Sequence, residues 1–448
     1  MKSPVPAPIL RKGLGSLLLL AAMASAQAPL TLSDAIRAAR TRSDETRLVG
    51  EKSAKLDAMK RELWAGALPQ VTAYANAGRG SQPFDPNAAG FPGEVVNPTV
   101  SRYAYGVEAQ QPIFSFGRLG QSFRVASRQI ASQDEANRRE LQEIELSALD
   151  AFYAVVVAEA RVKVLDASLE RQRRTSGFLE ANFSRGAGAR SATLLAAASL
   201  KGLEPERIRA ARDADAARMN LNRLLGRPID APLALDTASV PDFAAPAEDT
   251  TEANISRVLD KRPDLEALRL QKETLKGYAT AYRMQYLPSL GAQGKVGILA
   301  YDLNDQLTDF DKNLEWQVGV GLTWPIFDGL ANSSKARQYD SDARALAITE
   351  RRARNFARIE VEGARREAAA ADTALGAARQ ARDAASEALD LISQDFRAGA
   401  GQVTDLLSAE EGLRNAELGL LAARYQNTRA RAALRVSLGM DLIEGGSK

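Results

Sequence analysis

The sequence predicts a mainly α-helical chain with a small membrane β-barrel contribution, in which one unit of two membrane-length strands and a long helical hairpin is written twice. Three observations carry that expectation: a self-similarity at a spacing of 213 residues, two proline-free stretches of about 65 residues rich in helix formers, and four segments of about ten residues that alternate apolar with polar side chains.

The repeat is read from its landmarks. Gln111-Pro112-Ile113-Phe114 returns as Trp324-Pro325-Ile326-Phe327, Phe183-Ser184-Arg185-Gly186-Ala187-Gly188 as Phe396-Arg397-Ala398-Gly399-Ala400-Gly401, and Leu225-Gly226 as Leu438-Gly439, all 213 residues apart. Leu68-Pro69 and Leu287-Pro288 are 219 apart, so the segment that follows differs by about six residues, the mark of a loop. The first unit is expected over 27–226 and the second over 253–439, with a Pro-, Ala- and Asp-rich linker at 227–252 and a tail at 440–448.

Residues 1–26 read as an export signal. Lys2, Arg11 and Lys12 precede an apolar run from Leu14 to Met23, and Ala24-Ser25-Ala26 offers a small-residue cleavage site, preferred over a cut after Ala28 that would leave Pro29 first. The formal charge of +3 equals these three cations, so the remainder is neutral, which argues against a nucleic-acid partner. The 448 residues contain no Cys and no His. Disulfides, Cys- or His-ligated metals, thiolate nucleophiles, imidazole catalysis and a Cys-linked lipid anchor are thereby excluded. No later stretch reaches the roughly 20 apolar residues of a membrane-spanning helix, so any passage through a bilayer is made by strands.

The first helix is expected at about 31–66, with Ser33 and Asp34 as candidate caps. Strands follow at about 70–80 and 101–113. In the second unit the matching helix is expected at about 253–286 and the strands at about 289–300 and 314–326. The last strand alternates most clearly: Leu314, Trp316, Val318, Val320, Leu322 and Trp324 against Glu315, Gln317, Gly319, Gly321 and Thr323. Tyr103, Tyr105, Val107 and Ala109 alternate with Gly106, Glu108 and Gln110, and Leu290 to Ile298 with Gln293 and Lys295. A soluble sandwich would alternate too, but aromatic residues near the strand ends of the apolar face favour a membrane wall. Tyr103, Tyr105, Trp316, Leu322 and Trp324 are therefore expected to face lipid. Glu108, Gln110, Gln293, Lys295, Glu315 and Gln317 are expected to face a lumen, with Tyr74 and Asn76 beside them. Four strands do not close a barrel, and an open edge in lipid costs several kcal/mol per unpaired group, so other copies must complete it. A conducting pore favours three or more copies, because eight strands are filled by their own side chains.

Long helices are expected at about 118–183 and 330–396, and returning helices of about half that length at 190–226 and 403–439. The short helices at 31–66 and 253–286 make up the difference if they stack end-on with the returning ones. Gly186, Gly188, Gly399 and Gly401 mark the reversals, where left-handed backbone ends a helix. Gly186-Ala187-Gly188 follows a helix, not a strand, and so is no dinucleotide loop. Asp405 opens the last helix, where an acid suits the helix dipole, and symmetry would make it a ring of carboxylates.

Taken in order, Leu30-Thr31-Leu32-Ser33-Asp34-Ala35, Leu68-Pro69, Gln111-Pro112-Ile113-Phe114, the glycine turn and Asn222-Arg223-Leu224-Leu225-Gly226, with their second-half counterparts and Arg262-Pro263-Asp264-Leu265, resemble the TolC-type outer-membrane efflux family across essentially the whole mature chain. The resemblance implies a homotrimer whose twelve-stranded outer-membrane barrel continues as a helical tunnel through the periplasm. It also implies docking to a periplasmic adaptor and to an inner-membrane pump of RND or ABC type, in drug efflux or type I secretion. Cofactors, metals and catalytic residues are not implied. In family members the tip is narrowed near the second turn, and the matching positions are Phe396, Gly401, Asp405 and Ser408. Here Gly401 stands where an Arg would be expected, Ser408 replaces a second acid, and Ala192 holds the first-half equivalent. The resemblance thus implies a single carboxylate ring at Asp405, with Arg190, Arg185 and Arg397 as cations available to a weaker closing network.

Two other classes share some of these features. A periplasmic coiled-coil adaptor would have export and long helices, but one hairpin and a compact β domain. An exported hydrolase would need a nucleophile elbow, which the Ser and Asp residues do not form.

Overall fold

The computed structural model describes residues 29–81, 93–94, 99–236, 243, 252–300 and 313–443. The expected export signal, most of the linker after residue 236 and residues 444–448 of the tail lie outside them.

The first helix, α1 (Leu32–Arg42), is capped by Thr31, whose hydroxyl accepts the amide of Asp34 at 3.1 Å and donates to its carboxylate at 2.7 Å. Ser33 and Asp34, the expected caps, lie inside the first turn, where Asp34 supports the cap by accepting the Thr31 hydroxyl. The expected helix over 31–66 is broken at Ser43, which caps α2 (Asp44–Ala65) by accepting the amide of Thr46 at 3.0 Å. Strands β1 (Gln70–Ser81) and β2 (Thr99–Phe114) follow, then the 67-residue α3 (Arg118–Ser184) and the 35-residue α4 (Arg190–Leu224).

In the second half the helix expected over 253–286 is likewise split, into α5 (Glu252–Leu259) and α6 (Pro263–Arg283) with a 3₁₀ turn at Met284–Tyr286. Pro263 causes the break: it suits the first helical position and pushes Arg262 into extended backbone. Strand β3 (Ser289–Ala300) and strand β4 (Leu314–Thr323) precede α7 (Ala331–Arg397) and α8 (Val403–Ser437). β4 ends at Thr323, short of the expected 326, because Pro325 brings no amide to a ladder. The last two helices repeat the 67- and 35-residue lengths of α3 and α4, each start shifted by 213 residues.

The sheet is antiparallel in the order β1-β2-β3-β4, with a register shift between Pro112 and Phe114. Helices keep that order. α3 packs against α2 and α4 on one side and α6 and α8 on the other, and α7 packs against α6 and α8. A single layer of four rods, two of them stacked from shorter pieces, therefore continues the four strands.

The stacking joints are tight. Gly226, at φ 65°, ends α4 against the carbonyl of Arg42, and Gly439, at φ 76°, ends α8 against Arg262. Arg223 pairs with Glu45 at 2.7 Å across the first joint. The main cores gather at these joints: Leu32, Ile36, Leu149, Phe152, Leu221 and Val436 in one, Ile255, Leu259, Leu265, Val361, Leu434 and Leu438 in the other. Each fully buried Leu or Ile stabilises by about 1.5–3 kcal/mol. The chain after α8 is pinned there too, by Gln142 donating to the Gly439 carbonyl at 2.9 Å and by the Leu442 amide donating to Glu145 at 2.8 Å. Arg40 closes the joint between Glu145 and Asp441.

Candidate functional site: the sheet wall and the hairpin tips

Register sorts the sheet into two faces. Directly opposed residues share a face, so Tyr105, Ile298 and Leu314 align, as do Val107, Val296 and Trp316, and Ala109, Gly294 and Val318. Along β4 this apolar face is open to the surroundings of the single chain, with Trp316 71 % and Val318 76 % exposed, whereas Ile298 and Ala300 at the far end of β3 are buried. Tyr103 lies on it opposite Ala300, and Leu322 opposite Leu290. Trp324 falls just past β4, and its indole donates to the Tyr286 carbonyl at 3.1 Å.

The other face carries one polar row after another. Thr72, Glu108, Lys295 and Gln317 form one row across all four strands, and Gln70, Gln110, Gln293 and Gly319 the next. Tyr74, Gly106, Gly297 and Glu315 form a third. In that row the strands approach so closely that a Cβ on Gly106 would stand 2.3 Å from the Val296 carbonyl oxygen. The phenol of Tyr74 lies over both glycines, and the Lys295 ammonium sits 4.9 Å from its ring centre.

At the far end of the rods the two turns have the same construction. Gly186 and Gly399 take φ of 76° and 81°. The Gly186 and Ala187 amides donate to the Phe183 and Asn182 carbonyls, both at 2.9 Å, while those of Gly399 and Ala400 donate to Phe396 at 3.1 Å and Asp395 at 2.9 Å. Each pair of bonds is a Schellman closure. Gly188 and Gly401 press on the ends of the outgoing helices, where a Cβ would lie 3.1 Å from the Phe183 nitrogen and 3.0 Å from the Phe396 nitrogen.

The candidate aperture residues are divided among surfaces. The Phe396 ring packs edge-on against Phe178 of α3 at 5.9 Å, within the seam between the hairpins. Arg190 lies over the Phe183 ring of its own turn, also at 5.9 Å. Asp405 and Ser408 are exposed and share a helix face distinct from the buried one carrying Leu406, Glu410 and Leu413. Within one chain, then, Asp405 and Ser408 stand together, apart from Phe396 and Arg190. Arg397 lines the seam and Arg185 is exposed.

One residue of this region went unread in the sequence. Glu410 is 3 % exposed, and its carboxylate accepts the Thr175 hydroxyl at 3.1 Å across the seam. Burial pushes its pKa up, against the opposing pull of Thr175, Arg171, Gln172 and Arg414. The signal was present: Leu406, Glu410, Leu413 and Leu420 follow the spacing of a buried helical stripe, and Glu410 is the acid in it.

Among the described residues no helix is long and apolar enough to cross a membrane, and no His, Cys, Asp and Glu cluster suits a metal ion.

The sequence profile of the outer membrane efflux protein family matches residues 58–227 and 254–440, one match per repeat. Alkaline protease secretion protein AprF of Pseudomonas aeruginosa is 25 % identical over 352 residues, 75 % of this chain and 70 % of that protein. Among solved structures, the Campylobacter jejuni CmeC outer membrane channel superposes with a TM-score of 0.76 at 16 % identity, covering 98 % of this chain and 96 % of that one. The Vibrio cholerae outer membrane protein VceC gives 0.74 at 18 % identity, covering 92 % and 97 %. With both halves matched by the profile and the whole layer of rods and strands shared with such channels, the chain belongs to the outer membrane efflux protein family.

Proposed function

We propose that three copies of this chain close a twelve-stranded barrel in the Gram-negative outer membrane and continue it as a helical duct across the periplasm. One observation carries the reading: a four-stranded sheet with two free edges, apolar on one face and polar on the other, runs into four rods that keep its order. Free edges in lipid would leave backbone groups unpaired, and closure by further copies removes them. The apolar face with Tyr103, Tyr105, Trp316 and Leu322 then meets lipid, and the polar rows with Glu108, Lys295 and Gln317 line the bore.

The duct is passive. An inner-membrane pump supplies the energy, a periplasmic adaptor joins the two, and the glycine turns open at the tip; no bond is made or broken. The adaptor reading expects one hairpin and a separate β domain, whereas the described residues form two matched hairpins and a single shared sheet. The relatives include a protease secretion protein and outer membrane channels, and a shared duct serves protein or small-solute cargo because selectivity resides in the pump and adaptor.

Asp405, exposed near the tip and tripled by symmetry, forms the ring that passing cations meet. The test is planar-bilayer recording of protein purified from outer membranes in mild detergent, together with its mass. A trimer whose cation selectivity falls in Asp405→Ala is expected. A water-soluble monomer without conductance overturns the reading, and a conducting trimer indifferent to the substitution moves the constriction elsewhere.

A further inference from the structure

The two hairpins of one chain meet along a seam between α3 and α8, and near the tip that seam opens into a groove of about 550 Å³ lined by all three of α3, α7 and α8. Its floor holds Glu410 and Thr175. Behind them Gln172 is 2 % exposed. Three buried groups here lack partners: Glu410 Oε2, Gln172 Oε1, and the Nε and Nη2 of Arg171. A buried polar atom without a partner costs about 1–3 kcal/mol, so these groups weaken the seam between the hairpins.

We propose that Glu410 is the proton-sensitive tie of this seam: with its carboxyl protonated the two hairpins hold together near the tip, and its ionisation accompanies their separation. This rests on the reading of the chain as a duct opened at its tip, and it names what regulates that opening.

The chemistry is that of donors and acceptors. Ionised, Glu410 is an acceptor only, and its Oε2 makes no hydrogen bond in the packed seam, where the Nε and Nη2 donors of Arg171 are left unpaired as well. One added proton supplies a donor where two acceptor oxygens, Glu410 Oε2 and Gln172 Oε1, lack one. The surrounding charges do not reverse this balance. From α3, Arg171 and Arg174 face the groove; from α7, Asp390 and Arg397; on α8 itself, Arg414 is engaged with Glu411 at 3.4 Å. Arg171 and Arg414 favour the ionised form, but burial outweighs them and holds the carboxyl above its ordinary range. Separation of the hairpins hydrates the carboxyl and returns its pKa toward the ordinary value.

The direction follows from linkage. A carboxyl whose pKa is higher in the packed seam stabilises that seam fully below its hydrated pKa, and loses the contribution as pH rises through the packed one. Lower pH therefore favours the closed tip, and pH rising through the raised value of the packed carboxyl loosens it. The packed-to-separated ratio falls about tenfold for each pH unit between the hydrated and packed pKa values.

Full-length protein in planar bilayers, with the pH on the tip side raised stepwise from the ordinary carboxylate range, reads this directly. Wild type should open several-fold more often at the upper end of the series than at the lower, whereas Glu410→Gln, neutral at every pH, should stay near the low-pH level throughout. Thr175→Val, which removes the hydroxyl donor and leaves the carboxyl, should open more readily but keep the pH dependence. A flat wild-type curve, or a Glu410→Gln curve that follows wild type, overturns the proposal. Infrared difference spectra provide a second readout that needs no conductance: on acidification the wild-type spectrum should contain a protonated-carboxyl stretch that is missing from the matched Glu410→Gln spectrum. Its absence overturns the tie, while a protein that shows the band yet never conducts overturns the duct.

Discussion

Arg262 donates from Nη1 to the Ser437 carbonyl at 2.7 Å, fixing the start of α6 to the end of α8. The same guanidinium, 2 % exposed, reaches Asp264 and Glu360, each at 2.8 Å. Burial works to raise the Asp264 carboxyl, but hydrogen bonds and charge from Arg262 hold it below the ordinary range. Removing the cation leaves the Ser437 carbonyl and the part-buried Asp264 carboxylate without it, while the more exposed Glu360 keeps Arg139 at 3.5 Å, so Arg262→Ala is expected to cost about 1–3 kcal/mol. Thermal unfolding followed by circular dichroism measures it. A depressed carboxyl contributes its stability above the ordinary carboxylate range and loses it as pH falls through the depressed value, so the gap between wild type and variant should shrink in acid.

Glycines with the same left-handed backbone should differ in tolerance. At Gly186 nothing lies within 4 Å of an added Cβ, and Gly186→Ala should cost only the conformational term of about 1–2 kcal/mol. At Gly226 the Cβ would stand 2.5 Å from the Arg42 carbonyl oxygen, so Gly226→Ala must also push α4 off the joint. Equal losses for the two variants in the same melt would contradict the packed joint.

Single cysteines separate the faces of the sheet. In a chain that has none of its own, Gln317→Cys and Gln293→Cys should react from water with a charged maleimide, and Trp316→Cys and Leu322→Cys should be protected in lipid. Faster labelling at 316 than at 317 would turn the wall inside out.

Where α6 crosses α3, Gly277 accepts the Gln121 side-chain amide on its carbonyl at 3.0 Å, and a Cβ there would meet Val125 Cγ2 at 2.5 Å. Val125 is buried and β-branched, with little room to turn. Gly277→Ala should therefore destabilise by about 1–3 kcal/mol as an overpacked contact. The paired Gly277→Ala/Val125→Ala change should recover part of the loss.

Much of this architecture was legible because it is repeated. A spacing kept by Pro112 and Pro325, Gly186 and Gly399, and Gly226 and Gly439 is hard to produce by chance, and the period-two pattern of β4 names its two faces without a structure. Helix breaks were less legible. Ser43 ends one helix and caps the next with no Pro or Gly in the sequence to announce it, at the place where Gly226 packs against the Arg42 carbonyl. Pro263 does announce its break, since it suits a first helical position and disfavours helical backbone at Arg262, although a single helix over 253–286 is what the composition suggests. At the tip, sequence reading favoured exposed residues that symmetry could gather, such as Asp405. It passed over Glu410 because an acid in a leucine stripe matters only once the opposing helix, with Gln172 and Thr175, is known to face it.

The equal lengths of the two hairpins have a mechanical meaning. Rods of 67 residues, returned by helices of 35, bring both glycine turns to one level, about 100 Å from the sheet at 1.5 Å per residue. Adding a single helical turn to one hairpin would lift its tip by about 5 Å and leave the rim uneven, alternating high and low around the mouth. A partner that seats on all the tips at once would then find only half of them. Any change in reach must thus be made in both halves together, and the two copies of the unit are bound to keep the same ruler.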